Sequence, residues 1–220
     1  MTLTTPYGPK FFEKNRTNSV RSAEVILPYL FNEIYRPSSI CDIGCGAGGF
    51  LSVAKRLGVS DVLGIDGPYV APEDRLIEEF VAVDLAKALP KLNREFDLAI
   101  CLEVGEHLTA DRAEPLVGVL TDLAAVVLFS AAIPGQTGDH HINEQEPAYW
   151  IKLFEGRDYL AFDCLRWRFW DNPKVAWWYS QNMFLFASVA GVRRLRNVER
   201  FRCSSDMPFL HLVHPSRVSK

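Results

Sequence analysis

The sequence predicts an α/β fold: an open, doubly wound sheet of mostly parallel strands with helices on both faces. Three observations carry that expectation. Short apolar runs at Ser39–Ile43, Asp61–Asp66, 80–85, 96–103 and 124–130 alternate with stretches of helical spacing, the pattern of a parallel sheet with right-handed crossovers. The first run passes directly into a turn with glycines at 44, 46, 48 and 49 and then into helical spacing over 50–57, a strand–turn–helix corner suited to a nucleoside ligand. The first four runs end at or beside a carboxylate, namely Asp42, Asp66, Asp84 and Glu103. These acids fall on one edge of the sheet, where ligands bind in open α/β folds.

The elements follow in order. Val20, Ala23, Ile26, Leu27, Leu30, Phe31 and Ile34 repeat at helical spacing behind a cap at Asn18 or Ser19, with a kink at Pro28. Tyr7, Phe11 and Phe12 ahead of it either anchor the terminus or fold over the ligand as a lid; anchoring is the simpler reading. After the fourth run come a helix over 110–122, the fifth strand, and a polar loop at 131–145 containing Pro134, Gly135 and Gly138. A loop of that length in a compact domain points to function. A helix over 147–155 and strands over 159–166 and 182–189 complete the core.

With 220 residues, 48% hydrophobic and 23% charged, the chain suits one domain: a 1–18 N-terminal segment, a 19–190 core and a 191–220 extension. A net charge of −3 gives no general attraction to nucleic acid or an anionic membrane. Arg193, Arg194, Arg196, Arg200 and Arg202 lack interleaved stacking aromatics and read as a solvated face. Neither a secretory leader nor an apolar run of membrane-spanning length is evident. The five cysteines, Cys41, Cys45, Cys101, Cys164 and Cys203, form no C-x-x-C pair and suit a reducing cytoplasm.

The glycine turn selects among cofactors through Asp42. Gly44, Gly46 and Gly49 satisfy G-x-G-x-x-G, which also fits a nicotinamide-linked oxidoreductase. A carboxylate ahead of the first glycine, however, repels a pyrophosphate and complements an ammonium group. S-adenosylmethionine (SAM) carries that ammonium and no phosphate. Asp42, Gly44, Cys45, Gly46, Gly48 and Phe50 would then surround the donor. Asp66 and Gly67 would meet the ribose, Asp84 and the Leu85 backbone the adenine, and Glu103, at the end of the fourth strand, would complete the cofactor-binding set. A non-catalytic SAM-binding module remains a further alternative.

On D-I-G-C-G-A-G-G-F, G-I-D, A-V-D-L and L-E-V-G-E-H-L in this order, the chain resembles the class I SAM-dependent methyltransferases from about residue 19 to 190. The stretches L-F-S-A-A-I-P-G-Q-T-G-D-H-H-I-N-E-Q (128–145), P-A-Y-W (147–150) and W-W-Y-S-Q-N (177–182) are similar to a bacterial subgroup of small single-domain methyltransferases that often accompany polysaccharide and glycosyl-transfer enzymes. The resemblance implies a Rossmann-like sheet of seven strands with one antiparallel strand near the C-terminus. It also implies SAM as donor, S-adenosylhomocysteine as product, and sugar or other polar small-molecule acceptors. The subgroup commonly has Trp where this chain has Glu146.

Methyl transfer to a hydroxyl needs alignment, exclusion of water and removal of a proton. His141, flanked by Asp139 and His140 on the polar loop, stands first as base, and His107, after the fourth strand, stands second. His140, Asn143, Glu144 and Gln145 offer hydrogen bonds to a polyhydroxylated acceptor, while Trp150, Trp177, Trp178 and Tyr179 offer apolar cover. Trp177 and Trp178 read as adjacent on a strand, one facing inward and the other a pocket or solvent. Asp139, His140, His141 and Glu144 supply mixed metal-ligand chemistry. Being contiguous and without a recognised ligand spacing, they leave a divalent metal disfavoured. No N-P-P-Y-like or D-P-P-Y-like run follows the fourth strand, and no Lys-Asp-Lys-Glu set is evident. Those absences disfavour amino methylation of DNA bases and ribose 2′-methylation. The expected reaction is O-methylation of a sugar or glycan precursor, with N-methylation of an amino sugar next.

Overall fold

The computed structural model describes the backbone of residues 9–218 and the side chains of residues 16–217. Tyr7 and the side chains of Phe11 and Phe12 lie outside the described residues. Eight strands, β1 (Ser39–Ile43), β2 (Asp61–Asp66), β3 (Phe80–Ala82), β4 (Leu98–Leu102), β5 (Val126–Ser130), β6 (Tyr159–Phe162), β7 (Phe184–Ser188) and β8 (Arg202–Cys203), form one sheet ordered β3-β2-β1-β4-β5-β7-β6-β8. The pairs among β1 to β5 are parallel, β7 is antiparallel to both β5 and β6, and β8 is antiparallel to β6. Strand order reverses between β1 and β4, opening the switch-point crevice at their carboxyl ends.

Side chains alternate across the sheet and feed two cores. On one face Ile40, Leu98, Ile100, Leu128 and Leu185 meet Ile26, Leu27 and Leu30 of the first helical segment and Phe50 and Leu51 of α2 (Gly49–Arg56). On the other, Cys41, Ile43, Ala99, Cys101, Phe129 and Phe186 meet Leu116 and Leu120 of α3 (Ala113–Leu123) and Ile151 and Phe154 of α4 (Pro147–Glu155). Phe154 stacks on Phe186 with ring centres 3.8 Å apart. A sheet buried on both faces explains why its central strands read as continuous apolar runs.

Several expectations change. The sheet has eight strands, two of them antiparallel to the rest, rather than seven with one; β8 is two residues long and shows no pattern to read. The first helix, α1 (Pro9–Tyr29), starts at Pro9, so Asn18 and Ser19 lie inside it rather than capping it. It runs through Pro28 into a π-helical turn at Leu30–Ile34, closed by Tyr35 N donating to Leu30 O at 2.7 Å; the amide missing at Pro28 disturbs the ladder there. Strand β6 stops at Phe162, and Arg166 opens the short α5 (Arg166–Phe169). Trp177 and Trp178 stand at the head of a helix, α6 (Trp177–Asn182), not on a strand. All five cysteines are free. No helix among the described residues is long and apolar enough to cross a membrane.

Candidate active site

The glycine turn is shaped by what each missing Cβ would meet. Gly44 has φ +79°, and a Cβ there would lie 2.3 Å from Val104 Cγ2 at the end of β4. Gly48, at φ +84°, opens α2. Gly46 also has positive φ, +55°, yet nothing lies within 4 Å of its would-be Cβ. This one glycine thus shows bare peptide to open space.

Two acids frame that space. Asp66 accepts from Gly46 N and Gly67 N, each at 2.6 Å. Asp42 is 4% exposed, and no hydrogen-bond donor reaches it among the described residues. Burial and then the nearby Asp66 push its carboxyl well above the usual range. A cation placed there relieves both effects, so the corner fits the ammonium group of SAM. Cys45 Sγ donates to Gly46 O at 3.5 Å, and burial raises its thiol. A Cβ on Gly67 would lie 2.0 Å from the Tyr69 ring; Tyr69, which the sequence reading passed over, also bonds Asp66.

The other expected donor-site residues are placed as follows. Phe50 packs edge-on against Tyr179 at 5.4 Å. Asp84 accepts from Ala86 N at 3.1 Å and pairs with Lys87 at 2.7 Å, which holds its carboxyl below the usual range. Leu85 is buried in the core beneath α3.

Glu103, just past β4, has φ +57°, uncommon for a residue with a side chain. Its carboxylate accepts from Asn182 Nδ2 at 3.1 and 3.2 Å and from Gln136 Nε2 at 3.2 Å. Gln181 Nε2 donates to Gln136 Oε1 at 2.8 Å and to Asn182 Oδ1 at 2.9 Å. These three buried amides were not singled out from the sequence. Polar residues set in aromatic or apolar runs, W-W-Y-S-Q-N and A-A-I-P-G-Q, were the available signal.

The polar loop is clamped beneath β4. Glu106 O accepts from Ile142 N at 2.9 Å and Asn143 N at 3.0 Å. Glu144 accepts from Gly135 N at 2.6 Å, Thr137 N at 2.8 Å and the His141 ring at Nδ1, 2.8 Å. Thr137 and His140 both adopt positive φ, +57° and +61°. A Cβ at Gly138 would come within 2.3 Å of His141 Nε2, so only glycine lets the imidazole lie there. His107 and His141 meet edge to face with centres 4.9 Å apart. Burial, and then His141, lower the His107 imidazole to about 4.

Around them, Asn143 Nδ2 donates to Gly105 O at 3.3 Å and Gln145 Nε2 to Asn143 Oδ1 at 2.9 Å, while His140 is exposed. Trp150 is 3% exposed and lies under Gly105, whose Cβ would be 2.6 Å from its ring. Trp178 is half-buried beside Tyr179, whose hydroxyl is raised by burial and then by Glu103. Glu146, in the position where Trp was expected, is exposed and pairs with His211 of the C-terminal extension. The structure therefore gathers the glycine corner, Glu103 and Tyr179 on one side, and His107, His141, Glu144, Asn143 and Gln145 on the other. Trp150 sits in the core wall and Asp84 is tied to Lys87.

A switch-point crevice lined in this way on a mostly parallel sheet defines a Rossmann-like methyltransferase fold. Residues 13–117 match a family model described as a methyltransferase domain. No curated protein matches the sequence. Among solved structures, human N-acetylserotonin methyltransferase in complex with SAM aligns with a TM-score of 0.56 at 16% identity, over 81% of this chain and 55% of that one. DesVI from Streptomyces venezuelae aligns at 0.61 and 13% identity, over 82% and 96%. The plantazolicin methyltransferase BpumL, with S-adenosylhomocysteine bound, aligns at 0.54 and 16% identity, over 80% and 87%. The chain thus spans little more than half of the human protein, and at these identities the likeness is one of fold. Fold and matched segment agree on a methyltransferase domain.

Proposed function

We propose that this chain transfers the methyl group of SAM to a hydroxyl of a polar small molecule, with sugars and glycan precursors the leading class. The observation that carries the reading is Asp42, a buried carboxyl that no donor reaches among the described residues, beside the bare peptide of Gly46. When bound, SAM supplies a methyl on a sulfonium; as an acceptor oxygen bonds the carbon, the carbon–sulfur pair returns to sulfur and S-adenosylhomocysteine remains.

The chain's own residues do the rest. Asp42 holds the donor's ammonium group, with Gly44, Cys45, Gly46, Gly48 and Phe50 around it. Asp66, fixed by the Gly46 and Gly67 amides, accepts from ribose hydroxyls, and Asp84 with the Leu85 backbone meets the base. Glu103 is fixed by Asn182 and Gln136 at the floor of the crevice. The acceptor's proton is handled at the His107–His141 pair. There Glu144 acts as a positioning residue for His141, since its oxygens are already engaged by two loop amides and the imidazole. His140, Asn143 and Gln145 line the acceptor side with polar groups, and Trp178 and Tyr179 add apolar cover. Five free cysteines suit a cytoplasmic setting.

Calorimetry with SAM, S-adenosylhomocysteine and NAD tests the donor. Binding of the first two, weakened at least tenfold in Asp42→Asn, is expected; binding of NAD alone refutes the reading. Incubation with labelled SAM and a panel of nucleotide sugars, read by mass spectrometry, tests the acceptor. His141→Ala is then expected to lower transfer by about 10²–10⁴-fold.

A further inference from the structure

The Glu106 carboxyl is fully buried, and among the described residues neither oxygen has a well-formed hydrogen bond, although the Glu103 carboxyl and the Ala132 backbone lie close to it. No ion pair reaches it among the described residues. An ionised carboxylate in that position is among the costliest groups a fold can hold unless a proton or a cation meets it. Beside it, together with Glu103, is a pair of imidazoles: one ligand atom each from Glu106, His107 and His141 all fall within 4.8 Å of one another.

The surroundings prepare those atoms. His141 is held at Nδ1 by Glu144 at 2.8 Å, which leaves Nε2 to bind, and Glu144 is itself fixed by two loop amides. His107 bonds the backbone of His140. Carboxylate or carbonyl partners on the far nitrogen are what orient metal-ligating histidines. The two amides donated to Glu106 O tie the histidine loop to the segment carrying Glu106 and His107, so all three donors are positioned before any ion arrives. Metal–nitrogen bonds of about 2.0–2.1 Å then require each donor to close by less than about an ångström.

We propose that Glu106, His107 and His141 bind one divalent transition-metal ion of the zinc, cobalt or manganese type. Two imidazoles with one carboxylate suit these ions better than magnesium or calcium, which prefer all-oxygen sets. Of the contiguous Asp139, His140, His141 and Glu144, only His141 belongs to the set. Three protein ligands leave a coordination position open. Its role rests on the proposed function and replaces the base in it: with both imidazoles on the ion neither would take the proton, and the acceptor hydroxyl would occupy the open position, lose its proton to solvent and attack as an alkoxide, with no change of oxidation state.

The test is metal content, which does not depend on methyl transfer. The full chain is stripped with chelator, dialysed against micromolar Zn²⁺ or Co²⁺, and analysed by elemental mass spectrometry and, for Co²⁺, by its visible absorption bands. About one equivalent per chain is expected in the wild type and in the surface variant His211→Ala. At least a tenfold loss of affinity is expected in both Glu106→Gln and His141→Ala, with SAM binding retained as the sign that each variant is folded. Absence of bound metal in the wild type, or unchanged binding in the two variants, overturns the site. Failure of SAM binding in the wild type would instead overturn the methyltransferase reading and leave the metal count to stand or fall by itself.

Discussion

Gly44 and Gly46 share a left-handed backbone, but only one is crowded, and that separates folding from binding. Gly44→Ala sets a Cβ 2.3 Å from the buried Val104 side chain and is expected to cost about 2–4 kcal/mol through overpacking and backbone strain. Gly46→Ala meets no neighbour within 4 Å and should cost only about 1 kcal/mol. Its methyl, however, occupies the space assigned to the donor. Thermal melts should therefore show Gly44→Ala clearly destabilised and Gly46→Ala near the wild type, while calorimetry shows SAM bound at least tenfold more weakly by Gly46→Ala. Unchanged affinity there would show that the open side of the turn is not a ligand face. Asp42 and Asp66 could be found in the sequence because their spacing from a glycine turn is a local property. Glu106 could not be weighed in the same way: its burial arises when the 131–145 loop, distant in sequence, folds beneath β4 and bonds its carbonyl.

Among the elements, the C-terminal extension is secured by Arg166. This guanidinium, 1% exposed, donates to both oxygens of Asp163 at 2.9 and 2.7 Å, to Leu210 O at 2.7 Å and to Gln181 O at 3.3 Å. It also lies over the Phe184 ring at 4.2 Å. Arg166→Ala strands the carboxylate and two carbonyls and should cost about 3–5 kcal/mol; Arg166→Met, which keeps contact with Phe184, should cost less. Urea denaturation of the two variants checks the order. Strands β1 and β2 match the sequence expectation residue for residue because a parallel strand buried on both faces is a bounded apolar run. The 177–182 segment was misjudged because an aromatic pair suits strand and helix alike. Its first turn is closed by Tyr179 N donating to Ala176 O at 3.0 Å.

For the molecule as a whole, the half-buried His107 imidazole makes stability depend on pH. His107 titrates near 4 in the folded chain against a usual 6.5. Between those values the unfolded chain binds a proton that the folded chain refuses, so stability from this group is complete above about pH 6.5 and is lost as pH falls toward 4. The loss amounts to about 3 kcal/mol. Glu103 and Glu106 act in the opposite sense, since burial raises both and their folded forms favour protonation. Melting wild type and His107→Gln across this range, with chelator present, isolates the histidine: the gap between the curves should change by up to that amount, and a constant gap would disprove it. At this scale the sequence made the mostly parallel sheet and the acids on its edge legible, because each is written in runs a few residues long. The eighth strand and the amide network depend on the extension returning across α6, which no local pattern announces. His214 N donates to Gln181 Oε1 at 2.8 Å, Gln181 reaches Asn182, and Asn182 holds Glu103. Trimming the polypeptide ahead of residue 214 would therefore slacken the acid at the crevice floor by remote control, making chain length a dial on the pocket with no lining residue exchanged.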